Sequence, residues 1–347
     1  MDGIKSRRSR CQVTMNGTAL SDLLEKQLAS VTYSDAEEDE SDDLQIDISD
    51  PSGDWMREKL PKMISDSAEG RLEIRAVFFR ENWESRNEVE TLDTGAFDAD
   101  SISCSGGNVK IKALSIPSDS GISKTPKTQA WESYSLSRIA TEIAGRGKLN
   151  CMFESSSDPF YTRVEQVQQA DISFLSDLCH AAGISLKVTA KTIVLFDQAQ
   201  YESIPAVSEI RYGHGYITYS LKTSKGNTYS SCRVTYTDPS TGQTYSGTFK
   251  APDAKKDGQQ LDLVMHCGSN AEAKALAEKQ LRLANKFSIH GDFTFPGTPT
   301  LVSGITVNLS NFGILFDGKY IVSITVHSVS ESGYTTRASL RKCLEGM

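Results

Sequence analysis

The sequence lacks long apolar runs and closely spaced cysteines. Nothing in the 347 residues approaches the roughly 18 consecutive apolar residues that cross a bilayer. The basic residues between positions 5 and 10 are followed by polar residues rather than by a signal-like apolar stretch. We therefore expect no membrane anchor and folding in the cytoplasm. The seven cysteines are odd in number and include no C-x-x-C pair, which favours neither a disulfide framework nor a zinc site.

Motifs that carry catalysis are also missing. The five histidines form no H-E-x-x-H pattern, and the chain contains no G-x-S-x-G, G-x-x-x-x-G-K-[ST] or G-x-G-x-x-G motif. Pairs of carboxylates can always be imagined among 45 acidic residues, so they indicate nothing specific. The sequence predicts no catalytic residue, no cofactor-binding residue and no metal ligand, and therefore a protein that is not an enzyme.

Basic residues are fewer than acidic residues, 37 against 45. The formal net charge is -8, and the aromatic residues (8% of the chain) have no basic stripe between them, unlike a groove that holds nucleic acid. Trp55, Trp83 and Trp131 lie far apart in the sequence. We interpret each as an anchor of a domain core rather than as part of a sugar-binding platform.

Alternating apolar residues predict strands in the first region. Cys11, Val13 and Met15 alternate before an Asn-Gly turn, and the same period recurs at 44–48 and 72–78. The acidic run at 35–43 lacks the glycine and ligand spacing of an EF-hand. We interpret it as a solvated loop that joins two strands.

The middle of the chain changes character. Pro, Gly and Ser between 115 and 130 are typical of a linker. An apolar stripe predicts a helix over 136–145. A second helix is predicted to begin at Asp171 as its N-cap and to end at Gly183, before two short strands at 184–188 and 193–196.

The last region is β-rich again, with one helix predicted behind the capping pattern S-N-A-E at 269–272. Alternation places Tyr320, Val322, Ile324 and Val326 on the buried face of a strand, and His327 on its polar face. We find no residue-level repeat between the two β-rich regions. The predicted domains are a first β domain at 1–118, a linker at 119–130, a small α+β domain at 131–203 and a second β domain with one helix at 204–347.

Three stretches carry a family resemblance. They read FYTRVEQVQQADISFL at 160–175 with LKV at 186–188; QLRLANK, GDFTFPG, ITV, FDGKYIV, HSV and GYTT between 280 and 336; and VTYSD with SDDLQI between 31 and 46. These stretches resemble the phage late control protein D or tail baseplate hub family, which is related to the hub part of VgrG spikes in type VI secretion.

The resemblance implies a β-rich α+β fold with two tail-tube-like antiparallel β barrels and an inserted small α+β domain. It further implies a structural baseplate hub of a contractile tail, a homotrimer that adapts the hexameric tail tube to a trimeric spike. The spike is expected to be a separate protein, because the sequence stops soon after the last predicted strand. Other baseplate proteins and the tape-measure protein are further expected partners, and DNA would pass through the channel without specific binding. Two alternatives stay open: a carbohydrate-binding tail adhesin and a tail-associated cell-wall hydrolase.

Overall fold

The computed structural model describes residues 6–344 except 21–26, 39–40, 68–70, 84, 86, 117–120, 216, 225, 227, 253 and 255–257. The strands, numbered in chain order, are β1 (Arg8–Met15), β2 (Thr18–Ala19), β3 (Leu28–Ala36), β4 (Asp43–Ser49), β5 (Glu73–Glu81), β6 (Val89–Ser105), β7 (Asn108–Leu114), β8 (Lys127–Ser135), β9 (Asn150–Glu154), β10 (Phe160–Gln169), β11 (Ser185–Thr189), β12 (Thr192–Phe196), β13 (Ser208–Arg211), β14 (Thr218–Thr223), β15 (Ser231–Thr237), β16 (Thr244–Lys250), β17 (Gln260–Val264), β18 (Ile289–Pro296), β19 (Thr306–Ser310), β20 (Gly318–Ser330) and β21 (Gly333–Lys342). The helices are α1 (Leu60–Ser65, after a π-helical turn at Trp55–Lys59), α2 (Leu136–Arg146), α3 (Asp171–Ala182), α4 (Gln198–Ser203) and α5 (Asn270–Asn285). None of the helices in these described residues is long and apolar enough to cross a membrane.

The short-range predictions for the first region are confirmed. Strand β1 turns into β2 through Asn16 and Gly17, whose φ angles are +48° and +74°, as the Asn-Gly pair predicted. Strand β4 has the predicted alternation, with Leu44, Ile46 and Ile48 buried and the residues between them facing outward. Alternation with period two therefore located these strands correctly.

One sheet of 13 strands contains both β-rich regions, in the order β14-β18-β21-β20-β3-β4-β7-β6-β5-β1-β2, with β13 beside β19 and β19 beside β20. We call β1–β7 the first half and β13, β14 and β18–β21 the second half. With the two-residue β2 set aside, the first half runs β3-β4-β7-β6-β5-β1 and the second β14-β18-β21-β20-β19-β13. Numbered within each half, both orders are 2-3-6-5-4-1. The two halves therefore repeat one strand order, which a comparison of their residues does not reveal.

The neighbouring pairs in this repeat are antiparallel, apart from the parallel pair of β13 with β19. The antiparallel, β-rich part of the predicted fold class is confirmed. The described strands do not close into two separate barrels, since the strand path is open at β14 and at β2. The halves instead join where residues 324–330 of β20 pair with β3, the edge strand of the first half.

Strand β20 serves both halves. Its first part pairs with β19, and its second part pairs with β3 from Ile324 to Ser330. A bulge between Val322 and Ile324 separates the two parts. An extra residue reverses the alternation, so Tyr320 and Val322 are buried in the second half, whereas Thr325 and His327 are buried beyond the bulge. The prediction that Ile324 and Val326 share the buried face with Tyr320 was wrong for this reason.

Each half has its own hydrophobic core. In the first half, residues from β1 and β3–β7 form one cluster that also includes Tyr334 of β21. In the second half, Phe293, Val307 and Tyr320 are among the central residues.

The α+β unit between the halves packs α2 and α3 against β8–β12 around Trp131. Helix α2 and strands β11 and β12 match the predictions, and Gly183 ends α3 with φ +65°. Asp171 is the first residue of α3 rather than its N-cap, which is Ala170. Within the predicted linker, 117–120 lie outside the described residues, while Ile122 is fully buried in this core and β8 begins at Lys127.

A further unit lies between β14 and β18, where α5 packs on the sheet β16-β15-β17. The predicted capping pattern is present: the Ser269 hydroxyl accepts a hydrogen bond from the Glu272 N–H, and the Glu272 carboxylate accepts one from the Gly268 N–H. Gly247 of β16 is required here, because a Cβ atom would lie 2.2 Å from the Lys274 backbone nitrogen. Helix and sheet are thus in direct backbone contact.

Candidate functional site

The residue types that carry catalysis do not converge. In the described part of the chain, no three His, Cys, Asp or Glu side chains are grouped so that they could hold a metal ion. His180, His214 and His266 are exposed on separate elements, and His290 is half-buried. The His180 carbonyl oxygen accepts a hydrogen bond from Gln280, and the His266 ring packs 4.7 Å from the ring of Tyr236.

His327 is fully buried in the first core rather than exposed on a polar face. Its ring nitrogens lie 2.8 Å from the Tyr334 hydroxyl and 2.9 Å from the Leu301 carbonyl oxygen. Burial lowers the pKa of His327 to about 4, so the ring is neutral near pH 7. The surrounding rings include Tyr33 at 6.2 Å and Phe78 at 6.0 Å. This histidine has a structural role as a hydrogen-bonding core residue.

Two of the three tryptophans are confirmed as core anchors. Trp55 and Trp131 are completely buried, whereas Trp83 is half-buried between Arg7 and Arg80, whose guanidinium carbons lie 5.1 and 5.2 Å from the ring centroid. Such contacts are typical of cation–π packing. The two buried rings cannot stack on a sugar from solvent.

The glutamine-rich stretch at 160–175, which carries part of the family resemblance, connects neighbouring elements through buried hydrogen bonds. Gln166 is fully buried, accepts a hydrogen bond from Trp131 (3.3 Å) and donates to Asp171 (2.9 Å). Asp171 also lies 2.5 Å from Lys127 and 3.3 Å from Arg146. Burial alone would raise the pKa of Asp171, but its bonds to Lys127 and Gln166 outweigh that effect and hold the pKa below its usual value. The motif thus ties β10, β8 and α3 together.

The acidic segment at 35–43 contains the main surprise of the structure. It runs from the end of β3 to the start of β4, and although Asp43 is exposed, Asp35, Glu37 and Asp42 are only 4%, 3% and 1% exposed. Positions 39–40 lie outside the described residues. The interpretation as a solvated loop was wrong, because cations far along the chain cover these carboxylates.

Arg341 is the centre of this arrangement, which we call the ionic junction (Glu37, Glu38, Glu202, Arg282, Lys286 and Arg341). Arg341 is completely buried, with nitrogens 2.7 Å from a Glu37 oxygen and 2.5 Å from a Glu202 oxygen. Burial alone would lower the pKa of Arg341, but the two carboxylates outweigh it and raise the pKa above its usual value. The guanidinium therefore stays charged in a site without water contact, which requires both partners.

The remaining members extend the junction into the neighbouring units. Arg282 of α5 lies 2.8 Å from Glu202 of α4, and the Leu344 N–H also donates to Glu202 at 2.9 Å. Lys286 pairs with Glu38, whose other oxygen accepts from Ser185 of β11 at 2.6 Å. Both halves, the α+β unit and α5 thus contribute to one network. The network consists of ion pairs that hold these units together.

An exposed apolar patch lies at one end of the second half. It consists of Tyr212, Tyr219, Phe312, Ile314 and Leu315. Tyr219 and Tyr212 pack 5.1 and 5.7 Å from the Phe312 ring, and Ile314 is 95% exposed. The turn that presents Ile314 is held by the Phe312 N–H bond to Asp317 (2.7 Å). Ordered apolar residues on a surface mark a contact site. The sequence reading missed this patch, for which only the closely spaced aromatic and aliphatic residues at 312–316 gave a signal.

Comparison with known proteins found no matching family model and no matching curated protein sequence. Solved structures do match. A tail protein from Neisseria meningitidis superposes with a TM-score of 0.67 at 12% identity, covering 96% of each chain. A prophage tail protein from Shewanella oneidensis superposes with a TM-score of 0.64 at 10% identity, covering 96% of this chain and 97% of its own.

A component of the E. coli type VI secretion system, itself described as similar to T4 bacteriophage tail proteins, superposes with a TM-score of 0.55 at 12% identity over 96% of this chain and 77% of its own. These similar proteins are described as tail proteins and as a component of a secretion system. The chain therefore has the fold that phage tail proteins share with type VI secretion components, as the resemblance to the tail hub family predicted.

Proposed function

We propose that the chain is a non-enzymatic structural hub of a contractile phage or phage-like tail, which forms a trimeric ring between the hexameric tail tube and a trimeric spike. The observation that carries this proposal is the superposition on tail proteins over 96% of the chain. The likeness extends through both halves and the units between them. A role that needs the whole chain as a building block is thus favoured over a role confined to one pocket.

The repeated topology supports a hub in particular. Each chain contains two halves with the same strand order, which we propose to be tube-like modules of the two predicted β domains. Three chains then present six similar modules, which matches the symmetry of a hexameric tube. The ionic junction fixes the relative position of the two modules, as a rigid adaptor requires.

The expected partners follow from this role: the tube protein, a separate spike protein, other baseplate proteins and the tape-measure protein. DNA would pass through the ring without specific binding, because the net charge of -8 disfavours contact with phosphates. We place the protein in the host cytoplasm during assembly and in the baseplate of the particle afterwards. The burial of Trp55 and Trp131 disfavours the adhesin alternative, because a buried ring cannot stack on a sugar.

We assign the apolar patch to the contact between subunits of the ring. The purified chain alone should scatter light with three times the monomer mass, or, when mixed with its spike protein, with the mass of three chains plus the spike trimer. Changing Ile314→Asp and Leu315→Asp together should reduce the assembly to monomers, because both side chains are more than half exposed and a contact would have to bury the new charges. The fold should be unaffected.

The control is Val264→Asp, which places the same charge on another highly exposed apolar residue (85% exposed) of the separate sheet β16-β15-β17. This variant should still assemble. A chain that stays monomeric with both spike and tube proteins would contradict the hub proposal. A trimer that tolerates the double change would contradict the assignment of the patch alone.

A further inference from the structure

A second charged cluster lies where the first half, the α+β unit and the second half meet. Lys187 of β11 has its Nζ 2.5 Å from Asp35 of β3 and 2.8 Å from the Ser303 hydroxyl. Asp35 also accepts hydrogen bonds from the Ser303 N–H (2.8 Å) and hydroxyl (2.5 Å). Asp35 and Lys187 are therefore satisfied by each other and by Ser303.

Asp42 is not satisfied in this way. It is 1% exposed, and among the described residues neither of its carboxylate oxygens has a hydrogen-bond partner of good geometry. The nearest ammonium is that of Lys187, at 3.8 Å, and it already pairs with Asp35. Two carboxylates thus face one cation, which leaves one negative charge in excess. A buried excess charge is costly, and a carboxyl group in such a place gains by taking up a proton.

The other groups around Asp42 do not supply a cation. Strand β3 contributes the Tyr33 hydroxyl and the Ala36 N–H, and β11 contributes Thr189. Asp43 adds further negative charge near Tyr33. His327 of β20 stacks on the Tyr33 ring and is neutral near pH 7. In the described part of the chain, Lys187 is thus the one positive charge that acts on Asp42.

We propose that Asp42 is a proton-binding site that locks the three units together: the folded chain takes up a proton on this carboxyl group, and loss of the proton at alkaline pH leaves an unpaired charge inside the joint. The site would make the joint between the modules sensitive to pH. The proposal does not depend on a role in a tail.

The direction of the effect follows from the same surroundings. Burial raises the pKa of Asp42 to about 7, against the opposing pull of Lys187. An unfolded aspartate titrates near pH 4, so between about pH 4 and 7 the folded chain holds a proton that the unfolded chain releases. The contribution of Asp42 to stability is therefore present at low pH and is lost as the pH rises through about 7.

The test compares the wild type with Asp42→Asn, which resembles the protonated carboxyl group. Urea unfolding at pH 5–8.5 gives the folding equilibrium constant of each protein. The ratio of wild type to variant should rise by about tenfold for each unit that the pH falls from 7 to 5, and should be constant above pH 8. Above pH 8 the variant should be the more stable protein. Titration of His327 occurs in both proteins and cancels in the ratio.

The matched control is Asp100→Asn, which removes the same charge from a surface pair with Lys124 (2.6 Å). The ratio of the folding equilibrium constants of wild type and Asp100→Asn should not change with pH. A ratio for Asp42→Asn that is also flat would overturn the proposal. Infrared difference spectra of the wild type provide a second readout that does not depend on folding of the variant. A protonated carboxyl C=O band that disappears near pH 7 is expected. Its absence would show that no proton is bound.

Discussion

Replacing Arg341 by alanine is expected to lower the free energy of unfolding by about 3–5 kcal/mol. The change removes the cation that lies 2.7 Å from Glu37 and 2.5 Å from Glu202. Glu202 keeps Arg282 at 2.8 Å, whereas Glu37 loses the cation with which it is paired. Both glutamates are nearly inaccessible to water, so solvent cannot replace the guanidinium. Urea unfolding monitored by circular dichroism measures the loss.

Arg337 provides the matched control, because it lies on the same strand, β21, with its side chain exposed. Arg337→Ala should change the free energy of unfolding by no more than about 0.5 kcal/mol. Adding Glu37→Gln to the Arg341 variant should recover part of the loss, since it removes the buried negative charge that has lost its cation, while Glu202 still pairs with Arg282. Equal effects of the two arginine changes would show that the ionic junction contributes little to stability.

The second large effect is expected from Trp131→Ala, at about 3–5 kcal/mol. The Trp131 ring is completely buried, stacks on Phe174 at 6.2 Å and donates to Gln166. Its removal opens a cavity and leaves the buried side-chain oxygen of Gln166 without the N–H donor of Trp131, which adds to the loss of stability.

Trp83→Ala is the comparison for this change, as it removes the same side chain from a half-buried site between two arginines. It should cost about 1–2 kcal/mol, the sum of two cation–π contacts. Thermal unfolding of both variants measures the two losses of stability and shows which change is the more harmful. If Trp83→Ala were the more harmful change, the α+β unit would not depend on its tryptophan as the packing indicates.

Patterns confined to a few neighbouring residues predicted the fold well. The Asn16-Gly17 turn, the apolar stripe of α2 and the glycine that ends α3 depend on backbone conformation and on spacing within one element. Such features follow from the local sequence, because their cause lies within about ten residues.

Features with a distant cause were not predictable. The acidic segment is buried because Arg341 lies against Glu37 across 304 positions of the chain, and no local pattern records that contact. Ile324 was placed on the wrong face because the bulge before it exists only where β20 changes partner from β19 to β3. The same reason explains why the repeated strand order escaped the residue comparison: topology is preserved by pairing, not by particular side chains.

Strand β20 has a consequence for biosynthesis. The core of the first half includes Tyr334, and His327 packs there against Tyr33 and Phe78. A ribosome delivers these two residues only after almost the whole chain has been made. Until then β3 has an unpaired edge, which invites strand pairing with other nascent chains. We therefore expect slow, late completion of the first half, and a fragment ending at residue 118 should aggregate rather than fold.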